Sequence, residues 1–325
     1  MIIETKFGSF EWVCGWGGLP SELAGCDVPG VAVDASDCLY VLSRSSLPIV
    51  VLDPEGVVMR SWGAGDFVRP HSIHIAPDGT IWCVDDEGQR LLHYSDSGEL
   101  LQSIQGPNRA NETGYVVGEA RSVRQSADPF CYPTGIATGT DDDFWVTDGY
   151  GNARVHHFNS TGDLLSSFGR PGSGLLEFVI PHGVLVRPNG QLLVSDRENE
   201  RVQIIDPNGV VAEIWRGLHF PNNVATVDNV VYYVAELGNV IQGYPQAEVV
   251  SDAPYARVTA RDRNGNLLAE LLPAPGSEED PWFAPHGIAI DSFANVYVGE
   301  VRASYGRGLD TTGKPGLHKL VRVPS

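Results

Sequence analysis

Basic residues are scarce: 22 lysines and arginines stand against 41 acidic residues, a formal net charge of -19 over 325 residues. So acidic a chain lacks the positive footprint that a nucleic-acid backbone or an anionic membrane surface requires, and neither is expected as a partner. No apolar run approaches the ~20 residues of a membrane-spanning helix. The opening stretch MIIETKFGSF has no positive cluster followed by apolar residues, so no secretory leader is expected there. Cysteines are few and scattered (Cys14, Cys26, Cys38, Cys83, Cys131), with no CxxC pair. That pattern suits a reducing, cytoplasmic setting better than a disulfide framework. Helical periodicity is also lacking: no 3.6-residue pattern persists beyond a few turns. What is plentiful is turn chemistry, 37 glycines and 22 prolines, in a chain 42% hydrophobic and 19% charged. That composition buries a sizeable core.

One pattern recurs six times: VPGVAVDASDCLYVLSR, RPHSIHIAPDGTIWCVDD, YPTGIATGTDDDFWVTDG, IPHGVLVRPNGQLLVSDR, FPNNVATVDNVVYYVAEL and APHGIAIDSFANVYVGEV. Each is an aliphatic strand, a polar turn and a second hydrophobic strand that mostly ends in an acid. Most copies continue into a third strand, a tight turn and a fourth strand. Four short strands in a unit of about 40 residues, repeated, predict β-propeller blades. The expected fold is all-β, a six-bladed β-propeller in one domain over 1–325. The N-terminal segment is expected to complete the last blade and so remove its free edge. Two longer spacings place insertions at about 103–129 and 244–258, both expected as surface loops.

Let X be the residue two before the first aliphatic position of each copy. X is Pro29, His71, Thr134, His182, Asn222 and His286, at spacings of 42, 63, 48, 40 and 64. The first strand of a propeller blade lines the central channel, so X forms a ring, with histidine in blades two, four and six. Three imidazoles about 120° apart at one depth suit a divalent metal with an open position, zinc or another transition ion. The plain alternative is three strand-start histidines filling a polar channel. Around the same rim, the turn leaving strand two carries Arg44, Asp86, Arg197 and, in blade three, Tyr150. Two arginines beside a cation imply an anion between them, and a carboxylate substrate suits the bidentate guanidinium. Tyr150 is placed to serve as general base.

The phrases Asp148-Gly-Tyr-Gly-Asn152-Ala-Arg154-Val and Asp196-Arg-Glu-Asn199-Glu-Arg201-Val resemble NHL repeats. Read structurally, their Asp and Asn side chains bond turn amides. Taken with PHSI at His71, PHGV followed by SDREN at His182, and PHGI at His286, the chain resembles the peptidyl-α-hydroxyglycine α-amidating lyases. That resemblance implies a zinc ion on His71, His182 and His286, Tyr150 as catalytic base, and Arg44 and Arg197 on the substrate carboxylate. The implied reaction cleaves a carbinolamide C–N bond to an amide and glyoxylate, with a small-molecule or peptide α-hydroxy carboxylate as substrate. It also implies calcium on the carbonyls of Val31 and Ile73 plus an aspartate after the third histidine, where Gly287 stands here. Two disulfide positions of that family are also replaced: the partner of Cys131 is Gly151, and Leu193 stands at the other. Nothing resembling a monooxygenase domain precedes the repeats, so a hydroxylated substrate is expected from elsewhere. Two other readings stay open: a hydrolase or hydratase using zinc-activated water on the same histidines, and a non-catalytic NHL scaffold that binds protein or RNA.

Overall fold

A computed structural model describes residues 2–238, 255–272, 282–305 and 313–323. It divides into two compact units, 63–217 and a second made of 1–62 with 218–325. Each unit holds three blades.

In the first unit, blade two runs through Pro70–Ile75, Ile81–Asp85, Arg90–Tyr94 and Leu100–Gln105. Blade three runs through Gly135–Thr138, Phe144–Asp148, Arg154–Phe158 and Leu164–Phe168. Blade four runs through Pro181–Val186, Leu192–Asp196, Arg201–Ile205 and Val211–Trp215. Each of these three four-stranded sheets is an antiparallel meander in chain order, and a short parallel pair, Arg170–Pro171 with Glu177–Phe178, precedes blade four. In the second unit, blade one starts at Gly30–Val33 and blade five at Pro221–Ala225. Blade six takes Pro285–Ile290, Val296–Glu300 and Leu317–Val323 from the C-terminal part, then adds Gly8–Cys14 and Ile2–Thr5. The N-terminal segment therefore completes blade six, and a fifth strand extends it.

Strand two is buried along its whole length in blades one, two, three, four and six. It is covered on both faces by neighbouring sheets, which is why it reads as continuous hydrophobic runs such as IWCVD and LLVSD instead of alternating. Strand four is the outer edge; Val58–Trp62 and Leu100–Gln105 expose much of their length. Between blades two and three the core is Trp82, Val84, Phe130, Ile136, Phe144 and Val146. Between blades five and six it is Phe10, Trp12, Tyr233, Val258, Trp282 and Ile288. Each such side chain contributes roughly 1.5–3 kcal/mol of burial.

The acid that ends strand two ties each blade together at one end. Asp85 accepts from the amides of Val68 and Arg69 and from Arg90 Nε. Asp148 accepts from the Cys131 amide and Asn152 Nδ2. Asp196 accepts from the Val179 amide, Asn199 Nδ2 and Arg201 Nε. Glu236 takes the His219 amide and Arg257 Nε, and Glu300 takes the amides of Phe283 and Ala284. The amides these acids bond lie mostly in the loop entering strand one, 16 or 17 residues before the acid, and not in the turn between strands two and three that was expected. Burial pushes the Glu300 carboxyl up, yet the His318 ring and Arg302 outweigh it and hold it down at about 2. Blade one has Ser43 at this position; there Asp27 accepts from the amides of Ala303 and Ser304 instead.

Of the two insertions, Leu100–Gln105 forms the fourth strand of blade two, so the first excursion begins at 106 and includes a short helix, Ala110–Thr113. Residues 244–254 of the second lie outside the described residues, while 257–258 open the third strand of blade five.

Candidate active site

Each histidine at X is the second residue of an innermost strand and is buried: His71 and His182 completely, His286 at 2% exposure. The ladder shifts register at each of them, between Pro70 and Ser72, Pro181 and Val184, and Pro285 and Gly287. A β-bulge inserts residues that face no partner and re-aims their side chains. The preceding proline has its φ preset and no N–H to give the ladder. Sequence periodicity does not reveal such a bulge, because it counts residues and not pairings.

The rings are held by the neighbouring blade. His71 Nδ1 lies 2.6 Å from the carbonyl oxygen of Thr134, and His286 Nδ1 lies 2.6 Å from that of Pro29. Thr134 and Pro29 occupy X in the next blade. Other side chains at X make comparable ties: Thr134 Oγ1 donates to Pro181 O at 2.8 Å, and Asn222 Nδ2 to Pro285 O at 2.8 Å. The position therefore has a structural use throughout. A carbonyl bonded at Nδ1 places the proton there and makes Nε2 the acceptor nitrogen of the ring.

Tyr150 reaches the Nε2 side of two of these rings. Its hydroxyl lies 3.0 Å from His71 Nε2 and 3.4 Å from His182 Nε2. Its ring stands edge-on to both imidazoles. Gly149 makes this possible: a Cβ there would lie 2.2 Å from the carbonyl oxygen of Pro181, so only glycine lets the strand end pass beneath blade four and deliver Tyr150 beside His182. The Arg197 guanidinium sits over the Tyr150 ring, 5.5 Å from its centroid, and its Nε donates to Glu198 at 3.0 Å. Such a contact draws cationic charge onto the tyrosine.

Arg44 is held differently. Its Nη1 donates to Asp27 Oδ2 at 3.0 Å and to Ser304 Oγ at 2.7 Å. Asp86 is fully buried, with Arg69 Nη1 at 3.1 Å and the Glu87 amide on its other oxygen. The excursion after blade two also reaches this end of the blades. Tyr115 packs against Tyr132 and lies beside Gly151, and Arg121 Nη2 donates to the carbonyl of Glu198 at 2.7 Å. The long spacing between His71 and Thr134 marked the insertion, but nothing in its composition pointed to where it folds.

His71 and His182 belong to the first unit, and His286 holds the matching strand position in the second; each imidazole is of a type that can ligate a metal ion. Imidazole nitrogens are donors that zinc accepts, and in His71 and His286 the Nδ1 is tied to a carbonyl of the next blade. The residues do not fit calcium, which needs several oxygens including carboxylate. Val31 and Ile73 offer only neutral carbonyls, and Gly287 has no room for a carboxylate side chain: a Cβ there would lie 2.9 Å from Gly30 Cα and from the Val31 amide nitrogen.

The family model for the NHL repeat matches residues 130–158 and 178–205. The chain carries NHL repeats. It is 32% identical over 271 residues to peptidyl-α-hydroxyglycine α-amidating lyase 1 of Drosophila melanogaster, covering 78% of this chain and 47% of that protein. It is 30% identical over 273 residues to peptidyl-glycine α-amidating monooxygenase A of Xenopus laevis, covering 79% of this chain and 26% of that one. The chain thus spans between a quarter and about half the length of these relatives. A solved streptogramin B lyase superposes with a TM-score of 0.60 at 13% identity, over 97% of this chain and 98% of the other. The likeness is one of fold, the six-bladed β-propeller.

Proposed function

We propose that this NHL-repeat protein is a metal-dependent lyase that breaks the C–N bond of an α-hydroxyglycine-type acid, releasing an amide and glyoxylate. The observation that carries the reading is the Tyr150 hydroxyl within hydrogen-bond reach of Nε2 on both His71 and His182. The named lyases among its relatives support it. His71, His182 and His286 would hold the ion, which we take to be zinc. When bound, zinc supplies Lewis-acid polarisation of the reacting oxygen.

The remaining work falls to side chains. Arg197, fixed over Tyr150, and Arg44 hold the substrate carboxylate through bidentate bonds. Tyr150, acting as base, removes the proton from the α-hydroxyl. The oxygen's electron pair then forms the aldehyde C=O as the C–N bond breaks, and the departing nitrogen takes one proton. Atoms and charge balance with no oxidant or reductant. The pinned Nδ1 of His71 and His286 keeps those rings from turning during the cycle, since each is tied to a neighbouring strand.

We further take the cytoplasm as the location; the support is that Cys26, Cys38, Cys83 and Cys131 are free thiols. The function is tested by incubating the purified, zinc-loaded protein with N-acetyl-α-hydroxyglycine and measuring glyoxylate. Stoichiometric glyoxylate and acetamide are expected. No release above the uncatalysed rate overturns the reading.

A further inference from the structure

The excursion after blade two is built onto the turn that presents Tyr150. Asn152 of that turn accepts from the Ala127 amide at 2.6 Å and donates to the Ala127 carbonyl at 3.0 Å. The excursion also bonds itself: the Arg124 amide donates to the Thr113 carbonyl at 2.9 Å, and Gln125 Nε2 to that of Glu112 at 2.7 Å. Its one aromatic residue is Tyr115. That ring packs on Tyr132, with 5.3 Å between centroids at 59°. It also closes on Gly151, where a Cβ would lie 3.1 Å from Tyr115 Cδ1 and 2.4 Å from Cys131 Sγ. Tyr132 and Cys131 in their turn carry Tyr150: the Tyr150 amide donates to the Tyr132 carbonyl at 3.3 Å, and the Gly151 amide to the Cys131 carbonyl at 3.0 Å. The first of these is longer than an ordinary amide bond, too long to fix the backbone alone. Tyr132 moreover sits at φ +58°, a conformation that a bulky residue keeps only where its surroundings enforce it. The Tyr115 ring is one such restraint, and Gln89 Oε1, which accepts from the Tyr132 amide at 2.8 Å, is another.

We propose that Tyr115 is a positioning residue for Tyr150: its ring clamps Tyr132 and the Gly151 backbone, and so keeps the Tyr150 hydroxyl at His71 and His182. The inference rests on the lyase reading above for what Tyr150 does, while the clamp itself is a matter of packing. The ring carries the role, not the hydroxyl, because burial pushes the Tyr115 hydroxyl up to about 12 and leaves it a neutral phenol near neutral pH. Displacing a reacting group by about 1 Å costs roughly 10²-fold in rate. A turn freed of this packing therefore loses turnover, while the arginines that hold the substrate carboxylate are untouched and affinity stays.

The test compares Tyr115→Ala, Tyr115→Leu and Tyr115→Phe with the wild type, all zinc-loaded. It reads glyoxylate release from N-acetyl-α-hydroxyglycine and hydrogen exchange of the Tyr150 and Gly151 amides. Tyr115→Ala is expected to lower kcat by about 10- to 100-fold with KM within about twofold. It should also speed exchange at those two amides while the strand Phe144–Asp148 keeps its protection. Tyr115→Leu is expected to fall between, and is read in place of Tyr115→Ala if thermal melting shows that variant unfolded. Tyr115→Phe is expected to restore both readings. An unchanged kcat in Tyr115→Ala, or a loss that Tyr115→Phe shares, overturns the assignment. So does exchange that quickens equally over the whole of blade three, the mark of a purely structural role. If the wild type itself releases no glyoxylate, the lyase reading fails, and the exchange comparison still decides whether Tyr115 holds the turn.

Discussion

The two ends of the blades are built by different means. At one end, where strand one turns into strand two and three into four, side chains bond their own backbone two to four residues away. Ser36 and Cys38 donate to Asp34, Thr80 to Asp78, and Asn264 and Asn266 to Asp262. Glycines in left-handed conformation, such as Gly79, Gly190 and Gly209, complete these turns. At the other end, each strand-two acid reaches back 16 or 17 residues to the loop that enters strand one. Non-glycine residues hold positive φ at both ends, Asp37, Asp142, Asn229 and Ala294 at the first and Gln89, Tyr132, Ala153, Ile180, Glu200 and Phe220 at the second, but only the second adds a β-branched residue, Ile180. The first end is cheap, local and exposed. The second is buried and non-local, and it bears Tyr150 and the three histidines. Strain and buried polar networks persist only where surrounding structure over-determines them, and such an end can also hold reactive groups still.

The sharpest way to break this contrast is at Tyr150. Tyr150→Phe is expected to lower kcat for glyoxylate release by about 10²–10⁴, with zinc content by elemental analysis unchanged. Full turnover would place the chemistry elsewhere. Next comes the network itself: Asp196→Ala strands the Arg201 guanidinium and the Val179 amide, at a cost of about 3–5 kcal/mol in denaturant unfolding. Asp206→Ala at the opposite end, where one carboxylate oxygen accepts from Gln191 Nε2 at 2.8 Å, is expected to cost only about 1 kcal/mol. Equal losses would erase the distinction.

A third prediction uses two histidines on one strand. His71 has its Nδ1 on a carbonyl. His74 instead accepts at Nε2 from the Thr138 amide at 3.1 Å, and desolvation lowers its pKa from 6.5 to about 4. Its folded value is depressed, so between these pH values the unfolded chain binds the extra proton. Stability is complete above pH 6.5 and falls as the pH drops through 4, by about 1–3 kcal/mol given that the ring is only partly enclosed. His74→Asn should flatten that slope in unfolding curves. Glu300, depressed from 4.5 to about 2, acts in a lower window: its contribution is present above pH 4.5 and is lost toward pH 2. The smallest effect is at Gly209, at φ +79° with open space where a side-chain carbon would stand. There Gly209→Ala should cost about 1 kcal/mol from backbone conformation alone, read as a small shift of Tm.

Much of this second end was legible because repetition supplies a register. Alignment of six copies placed His71, His182 and His286 at one position and the acids fourteen residues on, without any knowledge of contacts. It also put Tyr150 on the rim at that end of the blades; that its hydroxyl lies against His71 and His182 is seen only in the structure. The partners of Arg44 and Asp86 were not legible: Arg44 bonds Asp27 and Ser304, and Asp86 bonds Arg69. Those partners belong to loops whose composition varies from copy to copy, so no register exposes them. The place of Tyr115 beside Gly151 was invisible for the same reason, since the excursion occurs in only one blade.

The order of residues alone therefore settled how many blades form, which strand of each is innermost, and which side chains share a level on it. Those follow from alternation, turn residues and period, all local properties. Which nitrogen of an imidazole bonds a carbonyl, and what lies beside the tyrosine, were decided only by tertiary structure. The partners concerned, Thr134 for His71 and Pro29 for His286, are 63 and 257 residues away. A bulge and a neighbouring carbonyl become related only when separate blades pack, and no local pattern encodes that meeting.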